Sequence, residues 1–465
     1  MNVFETVNGR LFMDGVDLAE LAAEFGTPLY VMSRSVIDDR IAELKRDFTE
    51  RYPNARAAYA SKAFLCTALC HIVDEAGLSL DVVSGGELFT SIRAKFPAER
   101  IEFHGNNKTR AELELAVGYG VGRIIVDAPG ELDLIEDVVG SKYGHEQKSG
   151  DSLCAPSNDV AYRPRVLFRV NPDVESDTHD HISTGHGNSK FGFSYDSAEL
   201  FDLIGRAIRS NIVDFEGIHF HVGSQLFTND SRLAALRRAL GILKEVKIRY
   251  GYDTPELNIG GGFAIRYTSD DDPRPFGFYL EPVMREVEEY CAAEGLKPPA
   301  VVVEPGRSIV GEAGVTLYTV GAIRETRADE RKGNGSLRAP DASAQSARKF
   351  VAVDGGMTDN IRPALYGAKY EAVVANRADK PATEVVTVVG KCCESGDRLI
   401  EGARLQTVAP GDILAVYSTG AYGYSMASNY NKLPLPAVAL VENGKARLIV
   451  RRQSYEDMLS RDLPL

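Results

Sequence analysis

The chain has 465 residues, a formal net charge of −13, 44% hydrophobic and 26% charged residues. This is ample for a large core, and for two or three domains at about 150 residues each. The acidic balance, with no basic cluster, argues against a nucleic-acid binder or a protein lying on an anionic membrane.

The opening MNVFETVNGRLFMDG carries an early Glu and no apolar core, so it does not read as a secretory leader. No apolar run reaches the roughly 18 residues of a membrane span. Cys66, Cys70, Cys154, Cys291, Cys392 and Cys393 are scattered, with neither paired zinc motifs nor a disulfide framework. A cytoplasmic protein with free thiols is expected.

The first clear helix starts at Ser35, read as its cap, with Ile37, Ile41, Leu44 and Phe48 on one apolar stripe. Short apolar runs then alternate with helical stretches. The runs are RAAYASKA (56–63), LDVVSGG (80–86), IEFHG (101–105), RIIVDA (123–128), RVLFRVNP (165–172), FEGIHFHVGS (215–224), ELNIGGG (256–262) and VVVEPGR (301–307). They are continuous rather than alternating, as strands buried on both faces are. ELFTSIRAKF, ELELAVGYG and LAALRRALGILKEVKIRY fall between them as helices.

Eight such strands predict an α/β fold, a (β/α)8 TIM barrel over 36–310, with a doubly wound open sheet as the competing arrangement. Nearly every run ends in Gly, His, Lys, Arg or Asp. Strand ends of that kind favour the barrel, because there they converge on one mouth, where active sites lie. From 311 the rhythm changes to VTLYTVGAIRE, KFVAVDGGM, EVVTVVGKCC and ILAVYST, predicting a C-terminal antiparallel β domain over 311–465. Residues 1–35 are expected to be an N-terminal segment packing with it. HEQKSGDSLCAPSND (145–159) and RADERKGNGSLRAPDASAQSARK (327–349) read as exposed insertions.

Several strand ends carry chemistry. Lys62, in YASKA, sits where desolvation lowers a lysine pKa, and an unprotonated amine can form a Schiff base with an aldehyde; a solvated strand-end lysine is the plain alternative. NIGGGF (258–263) exposes backbone N–H groups that a phosphate can approach, and it lacks the GxGxxG of a dinucleotide site. In GIHFHVGSQ, His219 and His221 share a face and Ser224 follows as a candidate hydrogen-bond donor to a phosphate; no carboxylate is spaced to complete a metal site, so no metal is assigned. EPGRS (304–308) pairs Glu304, able to hold a protonated ring nitrogen, with Arg307, able to reach a carboxylate or phosphate; an ion pair bracing the rim is the alternative.

YASKA, HVGSQ, NIGGGF and EPGRS occur in this order and are followed by CESGD (393–397) and GAYGYSMASNYN (420–431). With DVVSGGEL (81–88), FHGNNKT (103–109), ISTGHGNSKFG (182–192) and DGGMTDNIRPALYG (354–367), this set resembles the diaminopimelate decarboxylase family, over about residues 25 to 455. These are fold-type III pyridoxal-phosphate decarboxylases, whose barrel is of the alanine racemase type.

The resemblance implies pyridoxal 5'-phosphate as cofactor and Lys62 as the lysine that holds its aldehyde. His221 is implied to stack on the ring and Glu304 to keep the ring nitrogen protonated. Ser224, Gly261, Gly262, Gly306 and Arg307 are implied at the phosphate, and Tyr422 at both cofactor and substrate. Arg307, Arg362 and Tyr366 are implied to hold a distal carboxylate. Cys393 is the implied proton donor, its thiol pKa raised by burial, with Glu394 its substrate-binding neighbour and Cys392 turned away. A homodimer with shared active sites follows, because in this family the cysteine loop enters the partner's site.

The implied reaction is decarboxylation of an amino acid at a D-configured α-carbon, meso-2,6-diaminopimelate to L-lysine, as the last step of lysine biosynthesis. The chain departs from the family's usual wording at Lys391 and Cys392 and in GAKYEA (367–372). D-lysine or D-ornithine decarboxylation to cadaverine or putrescine therefore stays open, then L-ornithine or L-arginine decarboxylation. The presence of Lys62 and Cys393 speaks against a non-catalytic relative, and CESGD against an alanine racemase.

Overall fold

The computed structural model describes residues 3–143, 162–174, 190–326 and 348–465. The stretch 145–159, Cys154, residues 182–189 of ISTGHGNSKFG and residues 327–347 of the second polar stretch lie outside the described residues. Arg348 and Lys349, expected in that second insertion, instead open a strand, Arg348–Val353. The chain divides into two compact units, one of Asp39–Ile265 with Asp272–Ile309, the other of Met1–Asp38, Arg266–Asp271 and Val310–Leu465.

The first unit is a closed parallel barrel. Its strands are β1 Ala55–Ala60, β2 Ser79–Val82, β3 Ile101–Phe103, β4 Arg123–Val126, β5 Arg165–Asn171, β6 Asp214–His219, β7 Glu256–Asn258 and β8 Ala300–Val303. Each pairs in parallel with the next, and β8 returns to β1 through Val301 opposite Ala55. All eight lie within or against the predicted runs, because strands buried on both faces need uninterrupted apolar side chains.

The connecting helices start where the sequence supplies caps. Ser84 accepts from Glu87 N ahead of the helix Gly85–Arg93, and Thr109 forms a capping box with Glu112 ahead of Arg110–Tyr119. The barrel interior is partly ionic. Arg123 from β4 lies 2.8 Å from Glu256 of β7, while Asn258 Nδ2 donates to Glu102 of β3 at 3.1 Å and to Glu304 at 2.8 Å.

The second unit is built on an antiparallel-rich sheet. Gly314–Thr326 pairs antiparallel with Arg348–Val353, Ile413–Val416 and Leu29–Ser33, and Leu29–Ser33 pairs in parallel with Ala437–Glu442. Glu384–Val389 joins Arg348–Val353 to Arg398–Leu405. Leu29, Val31, Val315, Leu317, Ala415 and Ala439 form its buried core with Leu11 and Leu18. A separate three-stranded sheet, Phe4–Val7, Arg10–Met13 and Val16–Asp17, turns at Asn8-Gly9 with φ of +50° and +83°, the twist that a two-residue hairpin prefers.

The first helix differs from expectation at its start. It runs Arg34–Leu44, so Ser35 lies inside it, and Ser33 Oγ accepts from Val36 N at 3.1 Å. Ser33 caps because it ends a strand with extended backbone, while Asp14 accepts from the hydroxyls of both Ser33 and Ser35. The stripe itself is buried throughout, with Phe48 carried into a π-helical turn, Lys45–Thr49.

Candidate active site

The barrel mouth gathers the predicted strand-end residues. Lys62 lies in the short turn Ser61–Ala63 directly after β1, and its charge reaches Asp81, Glu87 and His221. His221 follows β6, and its Nδ1 accepts from Gly261 N at 3.3 Å, which fixes the ring. Burial, then the charge of Lys62, holds His221 well below the usual histidine range, so it is neutral at pH 7.

Glu304, just past β8, is the most heavily partnered acid of the site. Its Oε1 accepts from Asn258 Nδ2 at 2.8 Å and lies 3.1 Å from His104 Nε2, while Oε2 lies 3.4 Å from His219 Nε2. Burial opposes its ionisation, but His104 and His219 outweigh that and hold the carboxyl well below the usual range. For His104, burial is outweighed by Asp81 and Glu304, which raise its pKa; His219 is lowered by burial to about 4 and stays neutral. A buried, ionised carboxylate facing the mouth suits a protonated ring nitrogen.

The turns after β6, β7 and β8 form an anion seat. A Cβ at Gly261 would stand 2.2 Å from the Glu304 carbonyl oxygen, and Gly262, at φ +95°, leaves room for the Gly223 carbonyl oxygen. Only glycine fits both; the Gly261 N–H is engaged by His221, and among the described residues the Gly262 N–H has no protein acceptor and is left for a ligand. Ser224 Oγ accepts from Arg307 Nη2 at 2.7 Å and from Nε at 3.2 Å, and Gly306 packs against Ala60. Glycine backbone, a hydroxyl, a guanidinium, an ionised acid and a lysine together fit a phosphorylated pyridine aldehyde.

The other predicted residues belong to the second unit. Arg362 opens the helix Arg362–Tyr366, is buried, donates to the Tyr370 hydroxyl and lies 4.8 Å from the Tyr267 ring centroid. Tyr366 is half-buried, and Tyr422 holds φ at +59°, a strained backbone of the kind functional positions retain.

Cys393 N donates to Asn431 Oδ1 at 2.8 Å, and the Tyr430 hydroxyl donates to Glu394 Oε1 at 2.7 Å. Cys393, expected to be buried, is exposed in the chain. Cys392 is half-buried instead, and burial with the adjoining Asp397 pushes its thiol up to about 11. Asp397 causes the difference, because it accepts from Cys392 N and Met357 N at 2.7 Å each and draws the first cysteine inward.

Sequence reasoning missed His104, Asp81, Asn258 and Arg169, whose guanidinium lies 3.4 Å from Asp127 and whose charge helps to lower the His221 pKa. His104 and Asp81 stand in motifs already singled out, FHGNNKT and DVVSGGEL, and Arg169 interrupts an apolar run on β5. Among the described residues His104, His219 and Glu304 bring three potential metal-ligand atoms together, in place of the His219 and His221 pair weighed from spacing. All three belong to the network around the carboxylate of Glu304.

Comparison with known proteins agrees with this chemistry. Residues 38–311 match the family model described as pyridoxal-dependent decarboxylase, pyridoxal binding domain. The chain is 46% identical over 445 residues to diaminopimelate decarboxylase of Bacillus methanolicus, covering 96% of this chain and 95% of that one. It is 45% identical over 457 residues to the Bacillus subtilis enzyme, covering 98% and 96%. The crystal structure of diaminopimelate decarboxylase from M. jannaschii in co-complex with L-lysine superposes with a TM-score of 0.86 at 31% identity, covering 100% of this chain and 98% of that one. Likeness of this extent, running through both the barrel and the β unit, makes the chain a member of the pyridoxal-dependent diaminopimelate decarboxylase family.

Proposed function

We propose that this enzyme decarboxylates meso-2,6-diaminopimelate at its D-configured α-carbon to give L-lysine and CO2, with pyridoxal 5'-phosphate held at the barrel mouth. The observation that carries the reading is Glu304, kept ionised inside the barrel beside His104. When bound, the cofactor supplies an aldehyde for the substrate amine and a protonated ring that accepts the electrons CO2 leaves behind. Glu304 holds the proton on the ring nitrogen electrostatically. Lys62 provides the amine that anchors the aldehyde, and neutral His221 offers an uncharged ring face for stacking.

Ser224, Gly261, Gly262, Gly306 and Arg307 are proposed to hold the phosphate, with Tyr422 touching both cofactor and substrate. Arg307, Arg362 and Tyr366 are proposed to bind the distal carboxylate, which a cationic clamp suits. Cys393 Sγ is the proposed donor of the proton that replaces CO2 on the α-carbon, and Glu394 binds substrate beside it. Their exposure supports a homodimer in which this loop enters the partner's barrel mouth; the cytoplasm is the proposed location.

Offering the holoenzyme meso-diaminopimelate, D-lysine, D-ornithine and the L-forms, and measuring CO2 and product, tests the substrate. Lysine from diaminopimelate is expected; turnover of D-lysine or D-ornithine with none of diaminopimelate would overturn the choice. Borohydride reduction is expected to fix the cofactor on Lys62. Mixing Lys62→Ala with Cys393→Ala chains, each inactive alone, tests the shared site: returned activity supports it, and none refutes it.

A further inference from the structure

Arg232 stands in the first turn of the helix Asp230–Tyr250 and is fully buried. Its Nη1 donates to Asn229 Oδ1 at 2.7 Å and its Nη2 to the Gly261 carbonyl oxygen at 3.1 Å. The guanidinium carbon lies 4.7 Å from the Phe263 ring centroid and 5.1 Å from that of Tyr279. Among the described residues no carboxylate pairs with it. Burial lowers its pKa to about 10, with only Tyr279 acting the other way, so it is charged at neutral pH.

A buried cation without a counter-charge is costly, and the two ring faces beside it offset only part of that cost. The reaction residues named above do not use this charge, yet it is kept directly behind the glycine turn.

The geometry says where the charge acts. In a trans peptide the carbonyl and the following N–H point in opposite directions. With the Gly261 carbonyl turned to Arg232, the Gly262 N–H is turned away from it, and among the described residues that N–H has no protein acceptor. A charge-assisted bond to the carbonyl also polarises the amide and strengthens its N–H as a donor.

We propose that Arg232 is the buried counter-charge of the cofactor's phosphate, acting through the Gly261-Gly262 peptide, and that it sets the preference for phosphorylated over unphosphorylated pyridoxal. It is a positioning residue and does not touch the reacting atoms. The inference rests on the reading that the phosphate sits on the Gly261-Gly262 turn.

The test is to titrate apoenzyme with pyridoxal 5'-phosphate and, separately, with pyridoxal, following the absorbance of the bound aldehyde. Arg232→Met and Arg232→Gln are expected to weaken the phosphorylated form about tenfold or more, the scale of a lost charged hydrogen bond, and to leave pyridoxal within about twofold. Equal weakening of both, or no change in either, overturns the proposal. Gln keeps an amide donor in reach of Gly261, so it carries the test if the Met variant does not fold. A wild-type enzyme that binds both forms equally would instead sink the phosphate reading itself.

Discussion

Two buried carboxyl groups, one in each unit, meet opposite fates. Glu304 in the barrel is held well below the usual range because, against burial, His104 and His219 face it. Asp359 in the β unit is raised to about 6: burial leads, Asp397 adds to it, and Tyr318, Thr358 and Gly356 N supply only neutral donors. Burial alone therefore does not decide whether an acid is ionised; a charged partner does, here His104, with neutral His219 adding a hydrogen bond. The barrel uses histidines to keep an anion where the proposed function would seat a cationic ring nitrogen. The β unit uses its acids as acceptors for backbone N–H groups that shape loops, including the one that carries Cys393.

Glu304→Gln should break the contrast most severely. It keeps shape and hydrogen bonding but removes the charge, and kcat is expected to fall about 1000-fold while cofactor still binds, checked by steady-state kinetics beside the cofactor's absorbance. A loss under tenfold would refute an electrostatic role.

Asp359→Asn addresses the other acid. In the native state Asp359 keeps its proton up to about pH 6, whereas the unfolded chain loses it near 3.8. Wild-type stability should thus fall as pH rises through that window, by about 3 kcal/mol from this group. Denaturation of wild type and variant across pH 3.5–7 should show the variant lacking that fall.

Asp397→Ala should cost about 2 kcal/mol, since it strands the N–H groups of Met357 and Cys392, and should lower kcat through a displaced Cys393. Unchanged kcat with reduced stability would separate the loop's shape from the reaction. The smallest effect is expected of His104→Gln. Without that imidazolium the Glu304 pKa rises, so the acid limb of the kcat/KM profile should move upward in pH, with activity near pH 5.5 falling about tenfold more than at pH 8. A profile that is lowered uniformly would assign His104 a packing role.

Much of the barrel was legible because its signals are local. Continuous apolar runs mark strands buried on both faces, and the residues that end them, Lys62, His221, the glycines at 261 and 262, Glu304 and Arg307, emerge at one mouth by the geometry of a barrel. The same locality failed at Ser35, where a serine two residues earlier, at the end of a strand, was better placed to cap. It failed again at Cys392 and Cys393, because which thiol turns inward depends on Asp397 across the loop.

The sequence by itself determined the strand order, the residues lining the barrel mouth and, through their combination, the family. Only the tertiary structure decided how those residues are charged. His104 on the β3 side and Asn258 on β7 reach Glu304 because the sheet closes on itself, and Arg232 reaches Gly261 because its helix packs behind the turn. No periodicity records such meetings. Electrostatics inside a barrel are set by distance in space, and closure brings together groups that the chain holds far apart.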